Sequence, residues 1–349
     1  MESGIFHSTY EKDMALRHTP IEMIRLVLVL ALVVLFPFFA DNYLLNLANT
    51  IGVVIVGAVG LNILTGFTGQ ISLGQGAFMA VGAYTAALLS INWGAPMWLT
   101  IPSAAISTAI IGAIFGIPSL RLKGLYLAIA TLAAQEIILW VITHWDAVTG
   151  GVDALNAKNI LWFGGESHYF SEFQFYWVIM GFAMFTTMAT VNLFRTRIGR
   201  AFIAIRDQDI AAEVMGIDLF KYKVMAFATS SFFVGLAGAL IAHWRQIVTW
   251  ERFTIEVSIF YLAVIIIGGL GSVSGSIYGS IFMVLLPALL NNIGRSLKGV
   301  IPAIDMLIPF IQQAVFGLVI ILFLVLEPEG IAKMWKNIRD YFRLWPFSY

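Results

Sequence analysis

Glu136 is the one carboxylate well inside a long apolar run, in Thr131-Leu-Ala-Ala-Gln-Glu-Ile-Ile-Leu139. An ionisable group in such a run is costly unless it is paired or wet, so it marks a solute or ion pathway by default. A neutral Glu packed between helices is the alternative. A proton-coupled transporter would need a relay of such groups, and none is evident. A second anomaly is Leu64-Thr-Gly-Phe-Thr-Gly-Gln-Ile-Ser-Leu-Gly-Gln-Gly-Ala-Phe78, which puts four glycines and five amide or hydroxyl side chains between apolar runs. Facing lipid, its backbone groups would lack partners at several kcal/mol each. It is expected to be a broken or re-entrant helix, with Thr68, Gln70, Ser72, Gln75 and Glu136 along a translocation path. An ordinary turn leading into a Gly-packed helix is the alternative.

Two further patterns concern motion rather than binding. Gly271, Gly275 and Gly279 recur every four residues, with Ser272, Ser276 and Ser280 one step round. Small residues at that spacing let membrane helices approach closely, which predicts a packing seam, with a moving gate as the alternative. The segment Arg195-Thr-Arg-Ile-Gly-Arg-Ala-Phe-Ile-Ala-Ile-Arg-Asp-Gln-Asp-Ile-Ala-Ala-Glu-Val-Met-Gly-Ile-Asp218 reads as a short helix between basic flanks. Asp207 is the expected N-cap, Asp207 and Asp209 favour the positive helix end, and Gly216 is the expected C-cap. Its small apolar face of Ile210, Ala211 and Val214 suits a groove on a soluble partner, or else the segment is a solvated connector.

Other chemistry is missing from the sequence. There is no cysteine, the five histidines are scattered without HExxH spacing, and Gly-Lys never occurs, which excludes a phosphate-binding P-loop. No catalytic or metal site and no cofactor is expected on this chain; ATP and magnesium would belong to other polypeptides. Twenty basic and twenty acidic residues cancel, so nothing invites nucleic acid.

The elements that must position these residues are membrane helices. Of 349 residues, 60% are hydrophobic and 11% charged, and the mean hydropathy is +0.88; soluble chains average about 45–50% apolar and about 25% charged. Apolar runs near 24–39, 43–64, 76–90, 97–117, 124–143, 174–194, 224–243, 257–271, 277–292 and 309–326 predict about ten spans in the lipid bilayer. The first run lacks a small-x-small cleavage site and is read as a retained helix. Basic residues gather in a short lead (Lys12, Arg17), a short loop (Arg121, Lys123), the 194–223 loop and the tail (Lys333, Lys336, Arg339, Arg343). The 144–173 loop is acidic, with Lys158 as its only Lys or Arg. Ten spans with both termini in the cytoplasm satisfy the whole pattern. The expected division is a cytoplasmic lead (1–23), a transmembrane domain (24–327) with a cytoplasmic coupling loop (194–223) and a periplasmic loop (144–173), and a cytoplasmic tail (328–349). The fold class is all-α and polytopic, and five spans on each side of the acidic loop suggest two inverted halves. In that scheme Gly69–Gly76 and Gly271–Gly279 are the expected counterparts.

The chain resembles the branched-chain amino acid permease family of bacterial ABC importers, nearest its M-type subunit. The resemblance covers nearly all of 43–335. It rests on Gly60-Leu-Asn-Ile-Leu-Thr-Gly-Phe-Thr-Gly-Gln-Ile-Ser-Leu-Gly-Gln-Gly-Ala-Phe78, Leu120-Arg-Leu-Lys-Gly-Leu-Tyr-Leu-Ala128, Arg197-Ile-Gly-Arg-Ala-Phe202, Ala211-Ala-Glu-Val-Met-Gly-Ile217, Gly268-Gly-Leu-Gly271 and Glu327-Pro-Glu-Gly330. It implies a type II-like importer permease in the bacterial inner membrane, working with a homologous H-type permease, two cytoplasmic ATPase subunits and a periplasmic solute-binding protein. It also implies that the segment around Ala211, Ala212, Glu213 and Gly216, with Arg200, Asp207 and Asp209, couples to an ATPase. Ala154 stands where the family's outer Thr-Gly-Gly-x-x-Gly pattern has Gly, and relatives carry urea, short amides or aromatic acids. The expected mechanism is alternating access driven by ATP hydrolysed elsewhere. A stand-alone channel for a small neutral solute is the rival, though it has no need of the 195–223 loop.

Overall fold

The computed structural model describes residues 20–120, 122, 124–298, 304–327 and 329–344. Lys12 and Arg17 of the lead, the Arg121 and Lys123 pair, Pro328 and the last five residues lie outside the described residues. The helices are α1 (Pro20–Phe39), α2 (Asn42–Thr68), α3 (Gln75–Asn92), α4 (Met97–Gly116), α5 (Leu125–His144), α6 (Asp146–Thr149), α7 (Glu172–Leu193), α8 (Arg197–Val214), α9 (Leu219–Arg245), α10 (Ile255–Gly268), α11 (Val273–Leu297), α12 (Ile304–Leu326) and α13 (Gly330–Leu344). Two-residue strands β1 (Leu155–Asn156) and β2 (Ile247–Val248) pair antiparallel. The protein is a polytopic, almost wholly helical membrane protein.

Each expected span coincides with a helix, and seven of them (α2, α4, α5, α7, α9, α11 and α12) are long and apolar enough to cross a bilayer. The other three are α1, the Gly- and Ala-rich α3, and α10. With 14 residues α10 covers about 21 Å, well short of a hydrocarbon core of about 30 Å. The run expected to end at 271 stops at Gly268 because Gly269 and Gly271 adopt positive φ, which closes the helix.

Two 27-residue helices, α2 and α9, form the centre and pack on each other. The span window of α2 is 83% buried and that of α9 67%, whereas α12 has none of its window buried. An apolar cluster around Val56, Ala80, Ile101, Leu240 and Ile265 joins α2, α3, α4, α9 and α10. At one end of the bundle lie α8, the 269–272 turn and α13, which together carry Arg197, Arg200, Arg206, Lys333 and Lys336. The opposite end holds the acidic 146–171 segment, tied by β1 to β2 just beyond α9.

The halves are inverted, but the counterparts differ from those expected. In α2–α5 the chain breaks after its 27-residue helix, over 69–74, before α3; in α9–α12 it breaks at the same place, over 246–254, before α10. The partner of the Gly69–Gly76 region is therefore 246–254 and not Gly271–Gly279, which opens α11 one helix later. The sequence conceals this because 246–254 has no glycine and its polar residues read as an ordinary loop between two apolar runs.

Candidate functional site

The two breaks bring two helix starts together at half depth. Gln75, the first residue of α3, donates from Nε2 to the Gly57 carbonyl at 3.0 Å, and Gly57 lies about 16 Å along α2 from its Thr68 end. The starts of α3 and α10 each expose backbone N–H groups that no helical turn satisfies. Ser258 and Gln135 supply partners. The Gly76 amide donates to Ser258 Oγ at 2.8 Å and the Ala77 amide to Gln135 Oε1 at 2.7 Å. Gln135 Nε2 donates in turn to the Phe253 carbonyl at 2.7 Å, and Ser258 Oγ reaches Gln135 Oε1 at 3.3 Å. Thr131, one turn earlier on α5, accepts the Leu73 amide at 2.9 Å. Gln135 and Ser258 are fully buried. Backbone groups at this junction thus find partners in buried protein groups, as membrane depth demands.

Glu136 follows Gln135 and points the other way. It lies about 17 Å into α5 from Leu125, close to the middle of that 20-residue helix. Its side chain is exposed, with no hydrogen bond or ion pair to another described residue, and it lines an open cavity of about 610 Å³ with Trp140, His144, Val152 and Trp250. Glu251, Arg252 and Glu256, on the segment that descends to α10, are exposed as well. At that depth such groups do not face hydrocarbon. This side of the chain must meet water or another protein.

The polar stretch has a different environment. Thr68, Gln70, Ser72 and Gln75 are all buried. Thr68 Oγ1 donates to the Ile63 carbonyl at 2.8 Å, and Ser72 Oγ accepts the Gly74 amide at 3.3 Å. With Gln75 held by Gly57, three of the four stabilise the break itself. Gln70 is the exception: both polar atoms of its side-chain amide are buried without a hydrogen-bond partner among the described residues. Gln70 borders a cavity of about 420 Å³ at the basic end, shared with Arg206, Asp207, Gln208, Asp209 and Lys223.

That end is also where the halves are tied together. Asn62 Oδ1 accepts the Gly271 amide at 2.9 Å, while Asn62 Nδ2 donates to the Ser272 carbonyl at 2.9 Å and to Ser276 Oγ at 2.8 Å. Arg206 Nη1 donates to the Gly66 carbonyl at 2.9 Å. A methyl group on Gly271 would strike Arg206 at 2.5 Å, and one on Gly275 would meet the Gly269 and Gly268 carbonyls at 2.7 and 2.8 Å. Gly279 is equally tight against the Val264 carbonyl. Gly275 and Gly279 thus form a packing seam between α11 and α10, while Gly271 packs against Arg206 and Gly66.

The expected coupling segment is the last part of α8. The helix starts earlier than the sequence suggests, capped by Thr196, whose side chain accepts the Gly199 amide. It breaks at Gln208 (φ −161°, ψ 102°). Asp207 therefore ends the first piece, beside Arg206 at 3.4 Å, and is not the N-cap. The reason is that Arg197–Arg206 is itself apolar enough on one face, through Ala201, Phe202 and Ile205, to bury as a helix. Arg200 is exposed on this first piece. Beyond the break Asp209 pairs with Lys223 of α9 at 3.7 Å, and Ala212 is buried. Ile210, Ala211, Glu213 and Val214 face outward, Val214 at 82% exposure. Gly216, at φ +88°, ends the piece: its amide donates to the Glu213 carbonyl at 2.9 Å and the Ile217 amide to Ala212 at 3.0 Å. This pair of bonds and a left-handed glycine make a Schellman closure.

Gln135, Ser258, Asn62 and Arg206 were not singled out by the sequence. The fold and this site define a multi-pass helical membrane protein built from inverted halves, each with one span that starts at half depth. The chain belongs to the family described as branched-chain amino acid transport system / permease component, which it matches over residues 43–324. It is 30% identical to the high-affinity branched-chain amino acid transport system permease protein LivM of Escherichia coli K12, over 88% of this chain and 74% of that one. The probable branched-chain amino acid transport permease protein LivH of Methanocaldococcus jannaschii is 27% identical over 81% of this chain and 89% of its own. The ribose import permease protein RbsC of Haemophilus influenzae is 26% identical over 77% and 83%. No solved structure gives a significant match.

Proposed function

We propose that this chain is one of two permease subunits in an ATP-driven importer for branched-chain or related amino acids. Its basic end faces the cytoplasm of a bacterial inner membrane and its acidic end the periplasm. The observation that carries the proposal is the row of exposed charges at Glu136, Glu251, Arg252 and Glu256, half-way through a membrane protein. A homologous H-type permease would cover this side, and the water-lined route would run between the two. The names of the M-type and H-type relatives support such a pair. The resemblance to ribose permeases supports a scaffold whose cargo is chosen largely elsewhere, by a periplasmic binding protein that docks on the 144–173 segment.

On the cytoplasmic side, Ile210, Ala211, Glu213 and Val214 would sit in the groove of an ATPase subunit. Closure of two ATPases would push this short helix, and Arg206, next to the break, would pass the push to Gly66 and the 269–271 turn. No step of chemistry on the solute is needed.

The test is uptake of labelled leucine into vesicles holding the chain with its H-type permease, two ATPases and binding protein. Transport should require all five chains and ATP. Solute flux through this chain alone, without ATP, would instead establish a channel.

A further inference from the structure

We infer that the cavity beside Glu136 is a site for a primary ammonium group attached to an apolar body, so that the permease itself, and not the binding protein alone, selects amines over the corresponding acids. This deepens the reading of the chain as an amino acid permease and rests on it. Glu136, Trp140 and His144 follow at four-residue spacing, which sets them on one face of α5 over about 12 Å, from half depth to the outer end. All three line one open cavity of about 610 Å³, with Val152 of the outer segment and Trp250 of the 246–254 break. The cavity thus runs from the acidic end of the bundle down to Glu136.

Its lining is selective in kind. Glu136 is the only carboxylate, and no Lys or Arg joins it among the described residues, so the cavity attracts a cation and repels an anion. Calcium or magnesium would need about six oxygen ligands, and Glu136 and Thr143 are the only lining side chains that carry oxygen. Indole faces attract an organic ammonium instead. Trp140 is 61% exposed, and its ring stacks on His144 with centroids 4.6 Å apart at 17°. His144 Nδ1 lies 3.0 Å from the Trp140 carbonyl, which can only accept, so the imidazole is held by the residue it stacks on. Trp250 is placed by the half-depth junction: Gln135, the neighbour of Glu136, holds the Phe253 carbonyl three residues beyond it. An ammonium at Glu136 would share the cavity with two indoles, and its apolar body would lie along Leu139 and Val152. A carboxylate on the same solute finds no cation on this wall and is left to the facing permease.

The test uses the assembled permease and ATPase subunits in nanodiscs, without the binding protein. They are titrated with L-leucine, with isoamylamine, which keeps the ammonium and lacks the carboxylate, or with isocaproate, which has the carboxylate and lacks the ammonium. Binding is followed by the fluorescence change that Trp250→Phe removes. Leucine and isoamylamine should bind, and isocaproate at least about tenfold more weakly, the worth of a hydrogen bond to a charged group. Glu136→Gln should lower the affinity for isoamylamine about tenfold, and Trp140→Leu about three- to tenfold, as for a lost cation–π contact. Equal binding of amine and acid would overturn the site, and so would an amine affinity unchanged in Glu136→Gln. Binding of neither would also overturn it and show that the facing subunit fills the cavity. Any of these results beside ATP-dependent leucine uptake by the five-chain assembly would remove the ammonium site and leave the permease reading standing.

Discussion

The Gly76 amide donates to Ser258 Oγ at 2.8 Å, joining the starts of two half-depth helices from opposite halves of the chain. Neither start has a conventional cap: α3 follows Gly74 and α10 follows Thr254, with no side-chain cap bond from either. The positive end of α3 is satisfied from across the symmetry interface, by Ser258 of α10. Gln135 completes the arrangement from a third helix.

Replacing Gln135 by Leu keeps the volume and removes both bonds. It leaves the Ala77 N–H and the Phe253 carbonyl buried without these partners, at about 1–3 kcal/mol each. The detergent-solubilised protein should lose about 2–6 kcal/mol of stability, read as a lower thermal midpoint. Ser258→Ala should cost less, because Gln135 remains in place. Equal midpoints for wild type and Gln135→Leu would show that water fills the junction.

Gln70 should behave in the opposite way. Its amide is already buried and unpaired, so Gln70→Leu removes a desolvation penalty of about 1–3 kcal/mol. Thermal stability should hold or rise while uptake falls, since a group kept at such a cost is explained by a partner gained in another state. Unchanged uptake would remove Gln70 from the transport cycle.

Glu136 carries charge into the proposed route without holding the fold together. Glu136→Gln should therefore leave the thermal midpoint within about 0.5 kcal/mol of wild type, as for surface changes, and lower leucine uptake severalfold. Normal uptake kinetics would assign this side of α5 to subunit packing alone.

In the proposed coupling helix, Glu213→Arg changes an exposed residue and Gly216→Pro a closure that requires φ near +88°. Proline is confined to φ near −65° and cannot occupy that position. Both variants should insert normally and retain ATP hydrolysis in the assembled complex while uptake falls. Arg206→Ala, which loses the bond to Gly66, should give the same separation of hydrolysis from uptake. Full uptake in all three would move the ATPase contact elsewhere.

The spans were legible because a bilayer imposes a length and a polarity on any helix that crosses it, and each expected run is a helix. The break at 69–74 was legible too, since its glycines and hydroxyls interrupt an apolar run. Its counterpart was hidden: Trp250-Glu-Arg-Phe253 reads as an ordinary outer loop until Gln135 fixes its depth. Gln135 itself gave no signal. An amide next to a carboxylate draws little notice when its partners lie 58 and 118 residues away. The short helix closed by Gly216 was legible at its end but not at its start, because Arg197–Arg206 has an apolar face of its own.

The two-rung ladder between Leu155 and Val248 and between Asn156 and Ile247 is small, yet it fastens the outer segment to the strand that leads down to Phe253. A push on the 146–171 segment therefore has a short mechanical lever, five residues long from Val248, onto the central knot of the bundle.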